Sequence, residues 1–184
     1  MLFTTDMSAN GNAIKSGKDK ALKAIREYMT RVSPQVAEHL IIEAENSKEY
    51  NDFTGNTVTS YAVGIYNGGN LTDIVFDDNL REPLREKVKK REVVTLRETY
   101  DGRTDVTIVG QVNVTSETGL EFSEKFLQTV FPKGGTGIVM TTGTEYSTFL
   151  EKVRNLDVLT NAFNNAREVA LNWYNKRKNE KGMV

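Results

Sequence analysis

The sequence predicts an α+β domain: an antiparallel sheet packed by a long N-terminal helix and a long C-terminal helix, with extended arms at both ends. Three observations carry this. An apolar stripe at three- and four-residue spacing runs through 13–48, β-branched and aromatic runs broken by Gly and Asn turns fill 57–142, and a second helical stripe follows within 144–179. The length of 184 residues suits a single core, and no internal repeat divides it.

Residues 1–12 hold Thr, Ser, Asn and Gly without periodicity, so an extended arm is expected there. Leu22, Ile25, Met29, Val32, Val36, Leu40 and Ala44 then place one apolar face on a helix over 13–48. Ser33-Pro34 either kinks this helix or caps a fresh one, and the stripe stays in phase across the pair, which favours the kink. Residues 57–66 read as a strand between Thr54-Gly55-Asn56 and the turn Asn67-Gly68-Gly69-Asn70, and 71–76 as its partner. The charged run 77–91 reads as a loop or a short helix. Residues 93–100 and 106–115 form a hairpin about Asp101-Gly102-Arg103. A short helix is expected near 121–130 with Phe122, Phe126, Leu127 and Val130 on one side, then a strand at 137–142. The C-terminal helices occupy 144–179, with Leu159, Phe163, Ala166, Val169, Ala170 and Trp173 on the last stripe, and 180–184 is a tail.

Composition narrows the function. Lys and Arg number 24 against 25 Asp and Glu, so the surface as a whole is not that of a nucleic-acid binder. There is no Cys, which removes disulfides, thiolate chemistry and cysteine metal sites. Apolar runs are too short for a membrane span or a secretory segment, so the expected setting is the cytosol or an assembly built there, without a membrane partner. His39 is the single imidazole, and on a helix beside Leu40 and Ile41 it reads as structural or solvent-facing. Asp73, Asp77 and Asp78 lack the spacing of a calcium loop. The segment Lys133-Gly134-Gly135-Thr136-Gly137 lacks the Gly-Lys-Ser/Thr ending of a phosphate loop and reads as a turn into a strand. Nothing pairs Glu43, Glu45, Glu145 or Glu151 for acid–base work, and the two Asn-x-Thr sites, at Asn70 and Asn113, read as chance matches. No enzyme activity and no cofactor or metal is expected. Arg85, Lys87, Lys89, Lys90 and Arg91 form a basic block diluted by Glu82, Glu86 and Glu92. Alone it is a solvated face; repeated around a ring, it would line a positive lumen for threading DNA.

Several of these pieces belong together: the amphipathic first helix, the Thr54-Gly55-Asn56 step into a strand carrying Val63-Gly64-Ile65-Tyr66, and the segment Gly143-Thr144-Glu145-Tyr146-Ser147-Thr148-Phe149-Leu150-Glu151 before a long terminal helix. They resemble the tail-completion, or head-to-tail joining, proteins of tailed bacteriophages. That family carries a Thr-Gly-Asn/Arg-Leu-like step before the first strand and a Tyr-Ala-x-Tyr/Phe-Val-Glu-like segment late in the chain. Ser147 stands where Ala is common, Asp52-Phe53 replaces a frequent Pro, and residues 71–133 are an enlarged sheet region or an insertion. The resemblance implies a structural virion protein: a homo-oligomeric neck ring, twelvefold or sixfold, between a portal or adaptor protein and tail proteins, around a DNA channel. It also implies structural roles, with Gly55 and Gly143 permitting sharp strand entries, Tyr146, Phe149 and Leu150 pinning the late segment to the sheet, Glu151 closing the motif and Trp173 anchoring the last helix. The basic block would then meet packaged DNA non-specifically. The alternatives are another virion component, such as a tail terminator or capsid accessory protein, and a small α+β enzyme or ligand-binding domain.

Overall fold

The computed structural model describes residues 7–78, 80, 82–85, 87–111, 113, 118–130, 135–144, 147 and 159–181. A 41-residue helix, α1 (Met7–Ser47), is followed by a 3-10 turn (Val58–Ser60) and the hairpin β1 (Tyr61–Asn67) and β2 (Asn70–Val75). A second hairpin, β3 (Val93–Glu98) and β4 (Thr104–Val109), precedes α2 (Gly119–Thr129), β5 (Gly137–Thr142) and α3 (Thr160–Lys181). The class is α+β, with every strand pairing antiparallel. Among the described residues there are two sheets: β2-β1-β5, and β3-β4 by itself.

β1 is the centre. It is buried from residue 61 to 66, because neither of its faces carries a charged or strongly polar side chain. Tyr61 and Val63 pack with Ala37, Ile41 and Ala44 of α1 and with Tyr50, Val58 and Ala162. On the opposite face the Tyr66 hydroxyl donates to the Leu127 carbonyl of α2 at 2.6 Å, and the missing side chain of Gly64 makes room for Leu127. The sheet is therefore covered on both faces, by α1 and α2, where the sequence suggested that the two long helices pack it. α3 lies chiefly on α1, setting Ala166 and Ala170 against Val32, Val36 and Leu40. Its small residues let the two helices approach closely.

The N-terminal arm expected over 1–12 is corrected in part: residues 7–12 already belong to α1, and 1–6 lie outside the described residues. The helix passes through Pro34 without a new start, so the fresh-helix alternative falls. Ser33 uses its hydroxyl on the Met29 carbonyl at 2.7 Å and does not act as an N-cap. β4 ends at Val109, shorter than the 106–115 expected, and the last helix runs to Lys181, past the boundary at 179, so residues 180 and 181 are helical and not tail. In α2 the buried face is Gly119, Ser123 and Leu127, while Leu120, Phe122 and Phe126 are exposed. A capping box fixes that register: Thr118 accepts from the Glu121 N–H and Glu121 from the Thr118 N–H, and such caps are worth about 1 kcal/mol.

Candidate assembly interface

Thr54, Gly55 and Asn56 form a hub. The Asp52 carboxylate, buried beneath them, accepts from Gly55 N–H at 2.8 Å and Val58 N–H at 2.9 Å. Burial pushes its pKa up, and these backbone donors work in the opposite direction. Gly55 sits at φ +84°, and a Cβ there would lie 2.2 Å from the Tyr100 ring. The Thr54 carbonyl accepts from Leu84 N–H and the Phe53 carbonyl from Tyr100 N–H, at 2.8 and 2.9 Å. Arg103 stacks over Phe53 and bonds Asn51. The hub thus clamps the turn of the β3–β4 hairpin to the mouth of β1.

Gly143 has a comparable role at the far end of β5. A Cβ on it would come 1.8 Å from the Gly119 carbonyl, so only glycine lets β5 pass the start of α2. Hydroxyls tie the crossing: Ser60 bonds Thr142 at 2.8 Å and Ser123 donates to the Ser60 carbonyl at 2.6 Å. Tyr146, Phe149, Leu150 and Glu151 lie outside the described residues, as do Lys133 and Gly134, and Trp173 is placed only by its backbone in α3.

The basic block is split. Arg85 pairs with Glu92 and also donates from Nε to the Lys87 carbonyl at 2.8 Å. Lys87 lies near Glu121. Lys89, Lys90 and Arg91 are exposed on a tight turn held by Glu92, whose carboxylate accepts from Lys89 N–H at 2.8 Å. Arg91 adopts φ +68°, and its N–H reaches the Gly110 carbonyl at 2.8 Å. This turn closes the end of the hairpin opposite the clamped one, about 20 Å away at strand rise. The β3 and β4 strands pair chiefly with each other, and this turn carries three exposed cations.

Sequence reasoning missed the larger basic surface. Residues 11–27 of α1 are exposed, and over 7–31 the helix carries Lys15, Lys18, Lys20, Lys23, Arg26 and Arg31 against Asp19 and Glu27. On the same half Ile14, Leu22 and Ile25 are 73%, 41% and 57% exposed, although they continue the stripe that buries Val32, Val36 and Leu40. Counting charge along each half of the helix would have found it. The second half is acidic, with Glu38, Glu43 and Glu45 in the helix and Glu49 just past it, against Lys48. Glu38, His39, Ile42 and Asn46 are exposed on its outer side. Beside them Glu45 has its pKa pushed up to about 7, first by burial, then by Asp77, against the pull of Lys48.

The accessible surface is 12447 Å². That total is above the value of about 8,900 Å² expected of a compact chain of this length, and the exposed first half of α1 is part of it. Among the described residues, β2 and β5 form the two edges of the larger sheet. Among the described residues no group of three or more His, Asp or Glu is placed to hold a metal ion, and no helix is long and apolar enough to cross a membrane. His39 is exposed on α1, and Asp73 turns its carboxylate to the Ile74 N–H at 2.9 Å. Comparison with known family models, with curated proteins and with solved structures gives no match.

Proposed function

We propose that this chain is a structural subunit that works by assembling into a ring, and that the ring is the neck of a tailed phage virion, joining a portal or adaptor protein to tail proteins. The observation that carries the assembling role is the first half of α1, where Ile14, Leu22 and Ile25 stand exposed among Lys15, Lys18 and Arg26. A subunit of a closed ring needs two different faces, one for each neighbour, and an unpartnered helix half is suited to be one of them. The phage neck rests on the resemblance of Thr54-Gly55-Asn56 and of 143–151, whose glycines do structural work in this fold. In this reading the chain turns over no substrate, needs no cofactor, is assembled in the host cytoplasm and ends in the virion. Lys89, Lys90 and Arg91, carried on the hairpin tip, are the basic residues offered to packaged DNA; Arg85 and Lys87 support that tip.

Electron microscopy of the purified chain, alone and mixed with portal and tail partners, tests this. Closed rings of twelve or six copies are expected. A chain that stays solitary in every mixture sinks the proposal. For the lumen, Lys89→Glu with Lys90→Glu is expected to weaken retention of duplex DNA by assembled rings, more strongly at low salt. Unchanged retention removes the hairpin tip from the channel.

A further inference from the structure

Resting on the ring reading, we infer that the basic, apolar-striped first half of α1 in one copy docks on the acidic, Ile42-centred outer face of the second half of α1 in the next copy. The two surfaces are complementary in two independent ways, apolar and electrostatic. One offers Ile14, Leu22 and Ile25 flanked by Lys15, Lys18 and Arg26; the other offers Ile42, 45% exposed, with Glu38 one turn before it and Glu45 one turn after it on the same side. Glu45 is half-buried on that side, between Asp77 and Lys48.

The geometry also says how copies are related. At about 100° per residue, Ile14, Leu22 and Ile25 lie roughly 145° around the helix from Glu38, Ile42 and Glu45. One copy therefore cannot turn both surfaces to the same partner. The contact is head-to-tail, each copy giving its basic half to one neighbour and its acidic half to the other, which is what a ring requires. A symmetric helix pair would place Lys15, Lys18 and Arg26 against their own kind. Duplex DNA would satisfy the lysines and leave three exposed aliphatic side chains without a counterpart. The observations favour a second copy of this chain.

The test uses the full chain, which has no native Cys to confuse it. A copy carrying Ile25→Cys is mixed with a copy carrying Ile42→Cys and oxidised. The mixed disulfide species is expected to form at least about tenfold faster than with Lys90→Cys as the second position, because charge complementarity speeds the encounter. Lys18→Glu with Arg26→Glu on the first copy should abolish the preference. Glu38→Lys with Asn46→Lys on the second, one turn to either side of Ile42, should restore it. Since all these substituted positions are exposed, the melting temperature of each variant monomer should stay close to that of the parent, and rescue by the second pair excludes a folding defect. The inference is overturned if Ile25→Cys links mainly to itself, or if the mixed species forms no faster than the control. It is equally overturned if the charge reversals lose duplex DNA binding while no mixed species forms. Rings of the unmodified chain imaged without the mixed disulfide refute this contact alone; absence of rings in every mixture refutes the wider reading.

Discussion

Single residues decide where this chain can turn. Gly55 combines a left-handed backbone with a ring pressed against its Cα, so Gly55→Ala meets both the φ penalty and the Tyr100 clash. A loss of about 3 kcal/mol or more in denaturant unfolding is expected. Gly55→Ala combined with Tyr100→Ala should lose less than the sum of the single variants, because the clash exists only when both groups are present. Strict additivity would mean that the backbone conformation alone sets the cost. Asp52→Ala leaves two buried N–H donors, at Gly55 and Val58, without their acceptor, and about 2–4 kcal/mol should go the same way. Glu45 gives a pH signature. Its carboxyl is raised from 4.5 to about 7 in the folded chain, so folding favours the protonated form. The stability tied to that proton is complete below about pH 4.5 and is lost as pH rises through about 7. Because the side chain is only partly buried, solvent screening reduces the effect to about 1–2 kcal/mol. Glu45→Gln should therefore melt higher than the parent at pH 7.5 and close to it at pH 4.5. A constant difference across that range would deny the assignment.

At the scale of elements, burial divides α1 into two helices of the same sequence period. Val32, Val36, Leu40 and Ile41 each contribute about 1.5–3 kcal/mol by burial, whereas Ile14, Leu22 and Ile25 forgo most of that gain. The first half also carries Gly11 and Gly17, each about 1 kcal/mol less favourable than Ala, and it lacks the tertiary packing of an apolar face that gives helices in proteins most of their stability. In the free chain its amides should exchange with solvent orders of magnitude faster than those of residues 32–44, and assembly should slow them. Equal protection of both halves in the monomer would contradict the division. Much of this element is legible in sequence, because the 3.6-residue stripe through Leu22 and Leu40 needs no tertiary knowledge. What sequence could not give is where the body ends, since the same stripe is core beyond Val32 and surface before Met29. The strands tell a similar story. Asn67-Gly68-Gly69-Asn70 and Asp101-Gly102 announce both hairpins through their left-handed glycines, at φ +61°, +85° and +83°. Their separation into two sheets is hidden, because pairing between distant strands leaves no local mark. In α2 the apolar count points to Phe122 and Phe126 as core, yet the close crossing with β5 admits only Gly119 and Ser123 there. The Thr54-Gly55-Asn56 hub is visible as a motif, but its clamp partner, Tyr100, is not, since the contact spans 45 residues of chain.

For the molecule as a whole, charge and shape are polarised together. The nearly neutral total conceals a basic first half of α1 and an acidic remainder, so net repulsion between copies is almost absent and the proposed attraction between them would not have to overcome it. A free chain with this much excess surface should be extended in solution, with a radius of gyration clearly above the value of about 16 Å expected for a compact domain of its length. Assembly should bury the excess without rebuilding the core, because Tyr61, Val63, Ile41 and Leu127 are already excluded from water in the single chain. Two melting events follow from that separation: loss of inter-subunit contacts first, then unfolding of the domain. The first should move upward with protein concentration, since association stabilises by mass action, and downward with salt, since the complementary faces are solvent-exposed and their attraction is screened within about 10 Å at 0.1 M ionic strength. The second should respond to neither and should be the step lowered by Gly55→Ala. Calorimetry at three protein concentrations and two salt concentrations, read beside small-angle scattering, separates the two events. A single transition independent of concentration, from a particle near 16 Å in radius of gyration, would describe a self-sufficient monomer and defeat the account of this chain as a building block.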